Sequence, residues 1–229
     1  MNLKKNEIAK MAAAKFAVKF VKPGMTIGLG TGSTASYFIK ELGALVKNGL
    51  KLNAVATSYA SDQLAKSLGI KMIDVNSVNS LDLCVDGADE IDQKKQMIKG
   101  GGGALFREKI IACMSQEMIV LVDESKVVTR LGNFPIPLEI TPFAYKVTSH
   151  KLLKFAKSLN LRKTDNGSPF ITDNHNFIVD LQLKNSDINF EKINCEIKEI
   201  PGVCETGLFL GIAGRVIVGY EDGHIEIRE

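Results

Sequence analysis

The chain is poor in the residues that staple, ligate or span. Its 229 residues include four cysteines, three histidines and six prolines. Cys84, Cys113, Cys195 and Cys204 form no CxxC pair and follow no secretory segment. Free thiols in a reducing, cytoplasmic setting are the simplest reading. No apolar run approaches the roughly 20 residues that a membrane-spanning helix needs, so no membrane association is expected. The N-terminal lysines and alanines lack a secretory apolar core and read as a helix of the mature fold. Charge is not blocked either. The net charge of +3 comes from lysines spread along the chain, so nucleic acid is not an expected partner. A local basic site for a small anion would suffice to explain it. Neither an internal repeat nor a low-complexity segment interrupts the sequence.

What is present is an ordinary globular composition, with 45% hydrophobic residues, enough to bury a core without staples. Ile8, Ala12, Phe16 and Phe20 fall at helical spacing and predict an amphipathic helix over 6–20, stopped by Pro23-Gly24. Short apolar strands then alternate with helices. "MTIGLG", "LNAVATS", "IKMIDV", "LDLCVD" and "EMIVLVD" read as strands. "STASYFIKELGALVKN", "YASDQLAKSLG" and the run through about Met114 read as helices. This alternation predicts an α/β fold, a doubly wound, mostly parallel (Rossmann-like) sheet.

The rhythm changes near Asn133. "NFPIPLEITP" carries three of the six prolines and suits an edge or linker. "SHKLLKFAKSLN" reads as a helix, "PFITDNHNFIVDLQL" as a hairpin around Asp173-Asn174, and "INFEKINCEIKEI" as a second helix. The strand-rich tail turns at Asp222-Gly223 and is expected to return to the first sheet. The expected division is residues 1–132 plus 206–229 as an α/β catalytic domain. Residues 133–205 form a smaller α+β lobe, expected to be an oligomer interface.

Three loops carry chemistry, and each follows a predicted strand, where α/β sheets bind ligands. The first is "GLGTGSTA", Gly28–Ala35. Its glycines admit a close ligand, and the next helix offers free N–H groups to an anion. It lacks the lysine of a P-loop, and Ser33 stands where the dinucleotide fingerprint needs its third glycine. A tight turn with a capping serine is the plainer alternative. The second is "DGADE", Asp86–Glu90. Three carboxylates in five residues need cations or raised pKa values. One of them could exchange protons with a sugar hydroxyl. A solvated turn is the plainer alternative, and magnesium, though not zinc, stays open as a rival. The third is "KGGGGALFREK", Lys99–Lys109. Its glycines can form a concave array of N–H groups for an oxyanion, with Lys99 beside it. Glu108 lies about a turn and a half into the following helix. A carboxylate base beside an oxyanion-stabilising loop suits proton abstraction next to a carbonyl. His150, His175 and His224 lie outside all three loops, so the base is expected to be a carboxylate. Lys126 in "VDESK" and Lys10 on the first helix would suit a phosphate together with Thr31, Ser33 and Thr34.

In this order and at these intervals, "GLGTGSTA", "VDGADEID", "IKGGGGALFREKI" and "VDESK" resemble the ribose-5-phosphate isomerase family, type A. The likeness extends to "NFPIPLEITPFA" and "GVCETGLF". The resemblance implies interconversion of D-ribose 5-phosphate and D-ribulose 5-phosphate in the non-oxidative pentose phosphate pathway. It implies a cytoplasmic homodimer or homotetramer with no metal and no organic cofactor. By the same resemblance, Glu108 matches the base that shuttles a proton through a cis-enediolate. Asp86 matches the carboxylate assisting ring opening, and Gly87, Ala88 and Asp89 belong to its sugar-binding loop. Lys99 with the Gly100, Gly101 and Gly102 backbone matches the group steadying the enediolate oxygen. Thr31, Gly32, Ser33 and Thr34 match the substrate loop, and Lys10 and Lys126 match phosphate-contacting lysines. Phe106 departs from the threonine of many relatives, and Arg107 carries no implied role. A sugar-phosphate sensor would need a helix-turn-helix segment, for which the first helix leaves no room. Other sugar-phosphate enzymes often enlist a histidine that these loops lack.

Overall fold

The computed structural model describes residues 5–184 and 188–229. They form two compact units, one comprising residues up to Ala88, Arg107–Val127 and Ile212–Glu229, the other Asp89–Phe106 and Val128–Gly211. Elements are numbered in chain order.

The first unit holds α1 (Lys5–Ala17), β1 (Thr26–Leu29), α2 (Ser33–Lys47), β2 (Asn53–Ala56), α3 (Tyr59–Ser67) and β3 (Leu83–Gly87). It also holds β6 (Met118–Asp123), β12 (Arg215–Gly219), β13 (Ile225–Arg228) and all but the first two residues of α4 (Leu105–Met114). Its six-stranded sheet runs β13-β12-β6-β3-β1-β2. Every neighbouring pair is parallel except β12 with β13, so the tail does rejoin the first sheet. The strands are apolar on both faces because helices cover both. All six residues of β6 are buried.

The first helix exists, but its buried stripe is one residue away from the expected one. Ala9, Ala13, Ala14 and Ala17 are buried, while Ile8, Ala12, Phe16 and Phe20 are only partly so. Small side chains win this face because the helix lies almost on the sheet. A Cβ on Gly219 of β12 would stand 2.8 Å from the Ala9 carbonyl carbon. "IKMIDV" is not a strand. Met72 makes a single bridge to Ala54. Asp74 then accepts from Asn76 N at 2.9 Å, winding the chain into a 3₁₀ turn over Val75–Ser77.

The second unit holds β4 (Glu90–Ile91), β5 (Met97–Ile98), β7 (Ile136–Ile140), α5 (Tyr145–Leu152), β8 (Ala156–Leu161), β9 (Phe177–Leu183), α6 (Phe190–Lys198), β10 (Val203–Thr206) and β11 (Leu208–Phe209). It contains an antiparallel sheet, β10-β7-β9-β8, and a small one, β11-β5-β4. Two expectations fail here. "NFPIPLEITP" is neither edge nor linker, because β7 is an inner strand with all five residues buried. Pro137 fits because a strand residue's N–H and C=O point to the same side. Its carbonyl accepts from Gly207 N at 2.7 Å, so the missing N–H does not interrupt the ladder with β9. "SHKLLKFAKSLN" is helix only to Leu152; its second half is β8, the outer partner of β9. Sheet pairing there overrides local helix preference. The expected hairpin turn is present, closed by Thr172 N on Asn176 O at 2.9 Å.

Candidate active site

In the first unit, parallel strands β1, β2, β3 and β6 all release their following loops at the same sheet edge. β1 delivers Gly30–Thr34, β2 delivers Thr57 and Ser58, β3 ends on Asp86 and Gly87, and β6 leads to Lys126. The Asp86 carboxylate is fully buried. Its Oδ1 accepts from Gly87 N at 2.7 Å and from Thr31 N at 3.1 Å. These two amides fix the carboxylate under the first loop. Gly30 must be glycine: a Cβ there would stand 2.6 Å from Asp86 Cα and fall inside the carboxylate itself.

The first loop is held from behind by hydroxyls that the sequence did not single out. Thr31 Oγ1 lies 2.6 Å from Thr57 Oγ1 and donates to Ser58 Oγ at 2.8 Å, while Ser61 Oγ donates to Gly30 O at 2.7 Å. Thr31 thus spends its hydroxyl on the scaffold and its amide on Asp86. A serine- and threonine-rich strand end, "ATSYAS", was the available signal. Gly32 takes φ 107°, a left-handed value that favours glycine, and opens α2. The α2 N-terminus leaves its first amides directed outward, a setting for an anion. Lys10 Nζ donates to Ser33 Oγ at 3.1 Å, which brings the first helix to this loop. Lys126, in a 3₁₀ turn beyond β6, is half-buried.

Glu108 is 4% exposed, an unusual burial for a carboxylate. Its position follows from helix packing. Ile111 of α4 fills the space over Gly28 of β1, where a Cβ would collide with it and lie 3.3 Å from the Cys84 side chain. At the far end of α4, Met114 O accepts from Leu81 N, near the start of β3. Glu108 sits one turn before Ile111 on the same helix face, about 4.5 Å nearer the other edge. Gly30 and Asp86 sit two residues beyond Gly28 and Cys84, about 6.6 Å in the same direction. Both buried carboxylates are therefore displaced toward the edge where the loops emerge. The neighbouring Arg107 guanidinium lies over the Tyr59 ring, 4.6 Å from its centroid.

In the second unit, the glycine stretch is a turn ahead of α4 rather than its first residues. Gly103 N donates to Gly100 O at 2.9 Å, and Gly100 and Gly103 adopt φ of 104° and 78°. Added side chains would collide with Leu105 at Gly100, with Asp89 at Gly101 and with Phe170 at Gly103. Asp89 Oδ2 accepts from Gly101 N at 2.7 Å. Lys99 is 2% exposed; its backbone is held by Gly207 O, and its Nζ lies 5.4 Å from the centre of the Phe209 ring. Arg162, which the sequence reading passed over, donates to the carbonyls of Gly100 and Gly101.

The family profile of ribose 5-phosphate isomerase A (phosphoriboisomerase A) matches residues 53–223. A ribose-5-phosphate isomerase A of Bacillus mycoides is 47% identical over 214 residues, covering 93% of this chain and 96% of the relative. One from Protochlamydia amoebophila is 48% identical, covering 96% and 94%. The chain belongs to the ribose 5-phosphate isomerase A family. Solved structures agree on the fold. The Methanocaldococcus jannaschii ribose 5-phosphate isomerase A superposes with a TM-score of 0.92 at 40% identity, covering 98% of this chain and 99% of that one. A D-ribose-5-phosphate isomerase in complex with phospho-erythronic acid gives a TM-score of 0.93 at 42% identity over the whole of both chains.

Among the described residues, no group of three or more His, Cys, Asp or Glu is placed to hold a metal ion. No described helix is long and apolar enough to cross a membrane.

Proposed function

We infer that this member of the isomerase A family interconverts D-ribose 5-phosphate and D-ribulose 5-phosphate. The observation that carries the chemical reading is the burial of two carboxylates of the first unit, Asp86 at the end of β3 and Glu108 on α4.

An aldose–ketose isomerase opens the sugar ring, removes the C2 proton and delivers a proton to C1. Meanwhile, the hydroxyl proton passes from O2 to O1. The intermediate is a cis-enediolate whose oxygen carries negative charge. Glu108 is the base, taking the proton from C2 and returning it to C1. Burial keeps water from competing for that proton. Asp86, fixed by two amides, assists ring opening. Lys99 and the glycine-turn amides steady the enediolate oxygen, the role for which fixed donors are most effective. Gly87, Ala88 and Asp89 belong to the sugar-binding loop. The phosphate, with a charge of about −1.5 to −2 at neutral pH, suits the α2 N-terminus with Ser33, Thr34, Lys10 and Lys126. No step calls for a metal or an organic cofactor.

The chain works as a cytoplasmic homodimer or homotetramer, with residues 133–205 as interface. Exposed Phe143, Val147, Leu153 and Ile171 in that stretch support this role. Neither nucleic acid nor membrane is a partner. The test of the reaction is direct. The purified protein is mixed with D-ribose 5-phosphate, with and without a chelator, and D-ribulose 5-phosphate is measured. Equal conversion in both is expected. Binding without conversion would make the chain a sensor, and loss on chelation restored by magnesium would make "DGADE" a metal site.

A further inference from the structure

We propose that Arg162 is a positioning residue that aims the amides of the glycine turn, and that Asp180 holds it in place. This rests on the reading of that turn as the enediolate's donor array.

Arg162 follows β8 and is pinned through its own backbone: its N–H donates to Ile178 O at 2.8 Å, and its carbonyl accepts from Phe170 N at 2.9 Å. Its guanidinium carries five N–H donors in a rigid plane. Nε donates to Asp180 Oδ2 at 3.0 Å and Nη2 to Asp180 Oδ1, a fork-to-fork pair. The remaining nitrogen, Nη1, donates to Gly100 O at 2.8 Å and to Gly101 O at 3.0 Å. The ion pair is largely withdrawn from water, with side-chain exposures of 15% and 21%.

The consequence follows from peptide geometry. In a trans peptide, the C=O and the next residue's N–H point to opposite sides. Holding the carbonyls of Gly100 and Gly101 on one side turns the N–H groups of Gly101 and Gly102 to the other. The Gly101 amide already meets an anionic oxygen there, Asp89 Oδ2. Glycine has no side chain to set these peptide planes, so something outside the turn must. The guanidinium also polarises both peptides, which strengthens their N–H donors. Phe170 backs the arrangement, packing against Gly103 with its ring centre 6.0 Å from the guanidinium carbon. A lysine could meet one carbonyl but could not also fork onto Asp180.

The test is steady-state kinetics of Arg162→Met, Arg162→Lys and Asp180→Asn, with thermal unfolding of each and Glu108→Gln alongside. A donor array that acts on the transition state shows in kcat, not KM. Losing one such donor outright costs about 10²–10³-fold, and misaiming two costs less. The expected result is a kcat lower by about 10- to 100-fold in Arg162→Met with KM within about threefold. Arg162→Lys should recover part of the loss, and Asp180→Asn should show the same kcat signature more weakly. A folded Arg162→Met with unchanged kcat, or a rise in KM alone, would overturn the proposal. If Arg162→Met does not fold, wild-type kcat in both other variants would overturn it equally. A Glu108→Gln enzyme that still turned over would instead overturn the reading of the site.

Discussion

At the scale of single residues, the candidate site is built by close approach. Gly30 lets β1's loop pass over Asp86, and that passage delivers the Thr31 amide to the carboxylate. Gly30→Ala should therefore act twice. Overpacking at a rigid position should cost about 1–3 kcal/mol of stability, and kcat/KM should fall at least about tenfold as Asp86 is displaced. Thermal unfolding and kinetics on one preparation check both, and wild-type kinetics would show that Asp86's placement is immaterial. Much of this was legible beforehand. Strand ends rich in glycine and carboxylate announce themselves, because few other reasons justify them together. The hydroxyls of Thr57, Ser58 and Ser61 and the guanidinium of Arg162 were not legible. Their contacts join residues that are 26 to 62 positions apart, so even the serine and threonine cluster of "ATSYAS" does not show locally what it holds.

At the scale of elements, the parallel strands and their helices were readable because each is a long apolar or periodic run. In the first unit the misreadings are "IKMIDV", which is no strand, and the buried stripe of α1; the others fall on the second unit. β7 and β8 owe their state to partners far along the chain, and β4, β5 and β11 are two residues each, too short for any periodicity. The β12–β13 hairpin carries an electrostatic feature of its own. Glu226 accepts from Arg228 Nε at 2.7 Å and from Tyr220 OH at 2.7 Å. The Arg228 contact, and then the Tyr220 hydroxyl, lower its pKa from 4.5 to about 2. A carboxylate depressed in the folded state adds stability that is fully present above its unfolded pKa. That contribution is lost as pH falls from 4.5 through about 2. Because the group is half-open to solvent, the contribution is small and salt-sensitive. Glu226→Gln should lower stability slightly at neutral pH and converge with the wild type below about pH 2, which flattens the acid limb in that window. Urea midpoints followed against pH measure this, and superimposable limbs would contradict it.

At the scale of the whole molecule, the chain's two units draw on separate stretches of sequence. The first closes its sheet with the tail, and the second includes Asp89–Phe106 with its glycine turn. Sequence order alone gives a cut near Asn133. Compactness follows spatial pairing, here of β5 with β11 across more than 100 positions. The residue types of the candidate site were legible because the proposed chemistry would demand them: a base, an oxyanion array and cations for a phosphate. The Arg162 contact with the glycine turn was not, because it runs through the backbone carbonyls of Gly100 and Gly101.

The central claim is that the buried Glu108 carboxylate is the base of an aldose–ketose isomerisation. Turnover of D-ribose 5-phosphate by Glu108→Gln tests it most directly, since the amide keeps the shape and loses the basicity. A positioned base contributes about 10²–10⁴-fold. The predicted result is a loss of kcat of that size, with substrate binding retained and an unchanged unfolding temperature. A Glu108→Gln enzyme that isomerises at the wild-type rate would contradict it.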